Sequence, residues 1–209
     1  QLTLSSGGLP TAFDCSNGML CTASAACMTF YNLSNPVTPA HVIHYEPRRV
    51  DKVKMQKQGA LIAALRGGAV SFWNSQSALS PLVGALGGST FLDMDWSPTS
   101  FNLLATGCST GSVRIWDARS HSVAVQQMSL GGLGSCSTVE WCPTNPCLLA
   151  ANSNGERILV FDTRMTGSSP DSPHACSIEC NDGVVSSTWL CDSAYLENSS
   201  GKIALATKS

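Results

Sequence analysis

Four pairs, Tyr31-Asn32, Trp73-Asn74, Trp116-Asp117 and Phe161-Asp162, set an aromatic residue before Asp or Asn at steps of 42, 43 and 45 residues. Each pair closes a short run rich in β-branched and apolar residues. A second ladder keeps step with it: Met55, Trp96, Trp141 and Trp189 stand 41, 45 and 48 residues apart, each ending a stretch where apolar and polar residues alternate. Such alternation marks a strand with one covered face. Between the two markers comes a run of Leu, Ile and Ala, then a turn of Gly, Asn or Ser. Residues 91–119, FLDMDWSPTSFNLLATGCSTGSVRIWDAR, align with residues 136–164, CSTVEWCPTNPCLLAANSNGERILVFDTR, almost without a gap. Tandem units of this length with four short strands each predict an all-β chain of propeller blades.

Cutting at the repeat gives blades over about residues 10–48, 50–88, 90–131 and 135–181, with a partial blade at 183–209. The whole of residues 1–209 is then one propeller domain. In the first blade the strands are expected near 10–15, 19–25, 26–33 and 40–46. Closed rings of this type carry about four to eight blades. Four blades and the start of a fifth therefore read as part of a ring, completed by residues or chains beyond these. The stretch MTGSSPDSPHA at 165–175 reads as a loop from its Gly, Ser and Pro content.

Only 12% of the residues are charged and the net charge is -2. Few positions then face water, as in sheets stacked on both faces, and nothing draws the chain toward nucleic acid. The sequence has no apolar run near the roughly 18–20 residues that insert into a bilayer, and QLTLSSGGLP lacks the charged start of a signal peptide. The expected setting is intracellular and cytoplasmic. Beginning with Gln, the chain is expected to lack its natural start. Ten cysteines without a Cys-x-x-Cys read as small buried hydrophobes in a reducing compartment. The sequons at Asn32 and Asn198 read as chance matches.

Ile115-Trp116-Asp117 and Val160-Phe161-Asp162, together with Trp96-Ser97-Pro98 and Trp141-Cys142-Pro143, resemble the WD-repeat (WD40) family, from about residue 10 onward. The resemblance implies a ring most often seven-bladed, without catalysis of its own and serving as a platform for other proteins. No cofactor or metal is expected. One departure is that the Gly-His pair opening a typical repeat is absent, with Gly87-Gly88 and Gly131-Gly132 near its place. In the family that His joins a network with Asp, Ser or Thr, and Trp; here Thr106 and Trp116 supply part of it. A weak first blade, FDCSNGMLCTASAACMTFYNL, ahead of stronger ones also resembles the propellers of SEA/GATOR-type complexes in nutrient signalling to the TOR kinase. That likeness implies recruitment to lysosome or vacuole membranes through partners, with the nucleus left open.

Trp116-Asp117-Ala118-Arg119 and Phe161-Asp162-Thr163-Arg164 repeat an aromatic-Asp-x-Arg motif on adjacent units. Such motifs are similar to those of WD-repeat substrate receptors of cullin-type ubiquitin ligases, where the Arg meets an adaptor. The resemblance makes Arg119, Arg164, Asp117 and Asp162 candidate protein-binding residues. Against it stands the plain reading of solvated strand ends, since isolated surface charges contribute little.

Other motifs have simpler readings. Gly107-Cys108-Ser109-Thr110-Gly111 fits the G-x-S-x-G nucleophile pattern, but a strand, SVRIWD, follows where a helix is required, so a hairpin turn is expected. Arg48, Arg49, Lys52, Lys54 and Lys57 offer an acidic-partner patch or the polar side of an ordinary strand. His174, Cys176, Cys180 and Cys191 match no closed zinc spacing. Asp93 and Asp95 share one side of a strand and are expected to line an inner rim as solvated charges. An enzyme with its site at a channel mouth is the alternative of another class, and it lacks an acid–base cluster.

Overall fold

A computed structural model describes residues 9–46, 48–76, 82–86, 88–120, 123–153, 157–165, 176–179, 184–190 and 202–207. Among these the regular elements are all strands. The chain divides into two compact units, Gln1–Gly88 and Ser89–Ser209.

Unit one holds two four-stranded sheets. The first is β1 (Ala12–Ser16), β2 (Met19–Ala23), β3 (Cys27–Asn32) and β4 (Asn35–His44), and the second is β5 (Lys52–Met55), β6 (Leu61–Arg66), β7 (Ala69–Asn74) and β8 (Leu82–Ala85). Unit two holds β9 (Phe91–Trp96), β10 (Leu103–Cys108), β11 (Ser112–Asp117) and β12 (Ala124–Ser129), then β13 (Cys136–Trp141), β14 (Leu148–Ser153), β15 (Arg157–Asp162) and β16 (Cys176–Glu179). A pair, β17 (Val184–Leu190) and β18 (Lys202–Thr207), follows. Each four-stranded sheet is an antiparallel meander in chain order, so each is a blade.

Local chemistry explains the hairpins. Asn17 and Gly18 sit at φ 51° and 71° between paired Ser16 and Met19, the left-handed pair that a two-residue turn requires. The G-x-S-x-G segment is the β10–β11 hairpin, with Cys108 opposite Ser112. There Gly111 has φ 73°, and a Cβ on it would come within 2.4 Å of the Gly134 carbonyl oxygen. Ser109 is therefore a turn residue and not a strained nucleophile. In blade one the fourth strand begins at Asn35, earlier than expected, with Asn35 opposite Asn32. Pro36 and Pro39 are tolerated because β4 is the outermost strand, where a missing N–H breaks no ladder on its open side.

The core lies between blades within each unit. Met28, Phe30 and Ile43 of blade one meet Val53, Ile62 and Trp73 of blade two. Val113, Ile115 and Leu130 of blade three meet Val139, Leu149 and Phe161 of blade four. Cys142, Ile158 and Val160 then pack with Trp189. Each large side chain buried this way contributes roughly 1.5–3 kcal/mol.

The cysteine expectation needs correction. Cys21, Cys27, Cys108, Cys136 and Cys142 are buried and Cys147 is half-buried, but Cys15 and Cys176 are exposed. Cys15 lies on the side of β1 where alternate residues face outward, and every residue of β16 is exposed. Burial raises the thiol pKa values of Cys21 and Cys136, with nearby Asp14 and Asp93 adding to the respective shifts. Gly87, the 166–175 part of the expected loop, His174, Cys180, Cys191 and Asn198 lie outside the described residues.

Candidate protein-docking turns and blade-boundary grooves

The first ladder is a ladder of turns. At the end of each third strand the side-chain oxygen of Asn32, Asn74, Asp117 or Asp162 accepts the backbone N–H two residues on, at 2.9, 2.8, 2.9 and 2.9 Å. Either Asn or Asp can close this local turn. The preceding aromatic faces inward: Tyr31, Trp73, Trp116 and Phe161 are all buried. Trp116 donates its indole N–H to Thr106 Oγ1 at 2.9 Å, the part of the buried network expected from the sequence. Trp73 finds a different partner, Ser71 Oγ, at 2.9 Å.

Only Asp has a second oxygen, and here the two later turns diverge from the earlier ones. Arg119 donates from Nε to Asp117 Oδ1 at 2.9 Å and from Nη2 to Oδ2 at 2.5 Å. Arg164 repeats this on Asp162 at 2.9 and 2.6 Å. The Arg119 and Arg164 side chains are nonetheless 72% and 70% exposed. The paired guanidinium and the backbone N–H pull the Asp117 carboxyl down to about 2, and the same donors lower Asp162. Arg119 and Arg164 are raised in return. Each motif is thus a self-contained clamp that holds an Arg fork outward on a fixed turn.

The second ladder holds neighbouring blades together. Asp93 Oδ2 accepts the Val139 N–H at 3.0 Å and Asp95 Oδ2 accepts that of Trp141 at 2.9 Å. Asp93 is buried and Asp95 half-buried, so the expected solvated charges are instead carboxylates sealed against the next blade. The same device appears in unit one, where Asp14 Oδ2 accepts the Met55 N–H at 2.6 Å. Further along, Glu140 takes Thr188 Oγ1 on its carboxylate at 3.1 Å and Trp189 Nε1 on its carbonyl at 3.1 Å. Trp96 and Trp141 are buried at their strand ends. Trp141 Nε1 is buried without a hydrogen-bond partner.

Where two blades meet, each unit opens a groove. In unit two a space of about 330 Å³ is lined by Leu103, Ile115, Gln126, Trp141 and Thr163 among others. In unit one a space of about 380 Å³ has Met19, Phe30, His41, Met55, Ser75 and Gln76 in its walls. The two correspond: His41 pairs with Phe30 as Gln126 pairs with Ile115, and Met55 ends its strand as Trp141 does.

The basic run is partly strand β5, with buried Val53 between half-buried Lys52 and Lys54. Arg49 lies 3.4 Å from Asp51, which also accepts the Gly67 N–H. Among the described residues no three His, Cys, Asp or Glu side chains gather as a metal site, and no helix is long and apolar enough to cross a membrane.

No family model matches the chain. Over 114 residues it is 31% identical to the protein transport protein SEC31 of Ajellomyces capsulatus, a stretch covering 52% of this chain and 8% of that protein. Its structure resembles a chain in the crystal structure of the mitotic checkpoint complex, with a TM-score of 0.66 at 20% identity. That likeness covers 82% of this chain and 51% of the other. The chain thus spans a small part of the curated relative and about half of the structural one. Paired ladders, four-stranded meander blades and this likeness lead to one conclusion: the chain has a β-propeller fold.

Proposed function

We propose that the chain is a non-catalytic interaction scaffold within a multiprotein complex, with Arg119 and Arg164 in its docking surface. One observation carries the reading: both Arg side chains are largely exposed, yet each guanidinium is fixed by two hydrogen bonds to its own Asp. A flexible Arg loses rotamer freedom when it is captured, and a fork already held in place loses less. The relative's name, a protein transport protein, and the likeness to a chain of a checkpoint complex both support work in an assembly.

The partner implied for these motifs is the adaptor of a cullin-type ubiquitin ligase, and the weak first blade favours a nutrient-signalling complex instead. Affinity purification of the wild type and of an Arg119→Ala/Arg164→Ala variant separates them by what is recovered. Loss of one set of partners by a variant that melts like wild type is the expected result. Unaltered recovery overturns the docking role of these arginines.

A further inference from the structure

We propose that the groove between blades one and two binds a short extended peptide segment of a partner protein. The segment sets one apolar side chain on Met19, Phe30 and Met55 and offers a backbone carbonyl to His41 Nε2. His41 lines this groove, and its Nε2 is buried with no hydrogen-bond partner. A buried polar atom left unpaired is a cost that an incoming group of matching chemistry removes. In the matching groove of unit two the equivalent position is closed from within, because Gln126 Nε2 donates to the Thr163 carbonyl at 3.3 Å. His41 has no such bond to Ser75, the residue that corresponds to Thr163.

The composition of the groove selects the occupant. Its apolar residues stand beside Ser75 and Gln76, and no Asp, Glu, Lys or Arg of the described residues lines it. An ion would meet no counter-charge there, whereas a peptide supplies an apolar group and a neutral acceptor together. The space of about 380 Å³ falls within the range of roughly 300–1,000 Å³ typical of ligand pockets. His41 is held in place by its ring contact with Phe30, with centroids 5.4 Å apart. The inference shares with the scaffold reading only the premise that the ligand is a protein.

Panning a phage-displayed library of random peptides against the full chain tests the assignment. Enriched peptides are then synthesised with a fluorescent label and titrated by polarisation. Peptides with one apolar anchor are expected. Their binding should be lost in Gln76→Trp, which blocks the groove from an exposed position. It should weaken about tenfold in His41→Phe. Gln126→Leu and Arg119→Ala/Arg164→Ala should leave it unchanged, so this groove and the arginine turns fail or succeed separately. Should His41→Phe not fold, NMR of the wild type replaces it, with the His41 ring and the methyls of Met19 and Met55 expected to shift on peptide addition. An empty selection, peptides indifferent to Gln76→Trp, binding that follows Gln126 or Trp141, or unmoved His41 signals would each overturn the proposal.

Discussion

Blades one and two and blades three and four are built on the same turn and differ in what the turn carries. Asn32 and Asn74 close it with one oxygen and stop there, while Asp117 and Asp162 close it and use the second oxygen to hold an Arg. The comparison separates two roles that sequence alone merges. The acceptor at this position closes the turn, and the charge adds a hold on the Arg. A second contrast runs through the grooves, where Gln126 satisfies itself and His41 does not.

The largest effect expected is in the core between blades three and four. Phe161→Ala empties a fully buried site and should cost about 3–5 kcal/mol, read from chemical denaturation. Tyr31→Phe in the weaker blade removes only a buried hydroxyl that has no partner and should be near neutral or stabilising. A comparable loss at Tyr31 would break the comparison by showing a hidden partner for that hydroxyl.

Next comes the link between blades. Asp93→Ala leaves the Val139 N–H buried and unpaired and should cost about 1–3 kcal/mol, whereas Asp14→Ala, on a half-buried strand, should cost less. Equal losses would show that burial does not set the value of this contact.

A smaller change transplants the fork. Asn74→Asp with Gln76→Arg recreates in blade two the spacing of blade three, and the N–H of residue 76 already bonds residue 74. Stability should move by less than about 0.5 kcal/mol, as for most exposed pairs. The carboxyl introduced at position 74 should titrate below the usual carboxylate range in NMR, and an ordinary value would mean that the turn alone does not build the clamp.

The smallest effect is with pH. The Asp117 carboxyl is held down to about 2 by the Arg119 fork and N–H, against about 3.9 when unfolded. A depressed carboxylate contributes above its unfolded value, and that contribution fades as pH falls toward 2. Titration of the Asp117 and Asp162 carboxyl carbons should show both clamps intact at pH 5, with loss confined to the acid end. Opening between pH 4 and 5 would contradict the bidentate geometry.

What the sequence made legible was local. The aromatic-Asx rungs could be read because the turn bonds residues two apart, and the G-x-S-x-G hairpin because its strand partners lie within a few residues. Asp93 and Asp95 read as rim charges in the sequence because their partners lie 46 residues on, across a blade boundary. Arg119 and Arg164 were picked out by their spacing, but the bidentate clamp on their own Asp depends on the turn's conformation. The grooves are invisible in the sequence for the same reason as the carboxylate links: His41 and Met55 line one space only once two blades are stacked.

The central claim is that the clamped arginines dock a partner. Replacing Asp117 and Asp162 with Asn keeps both turns and releases both forks, so quantitative affinity purification with this double variant isolates the clamp. An unchanged melting temperature and a marked drop in the partners recovered with the wild type are the expected results. Equal recovery from a chain that melts normally would contradict the claim.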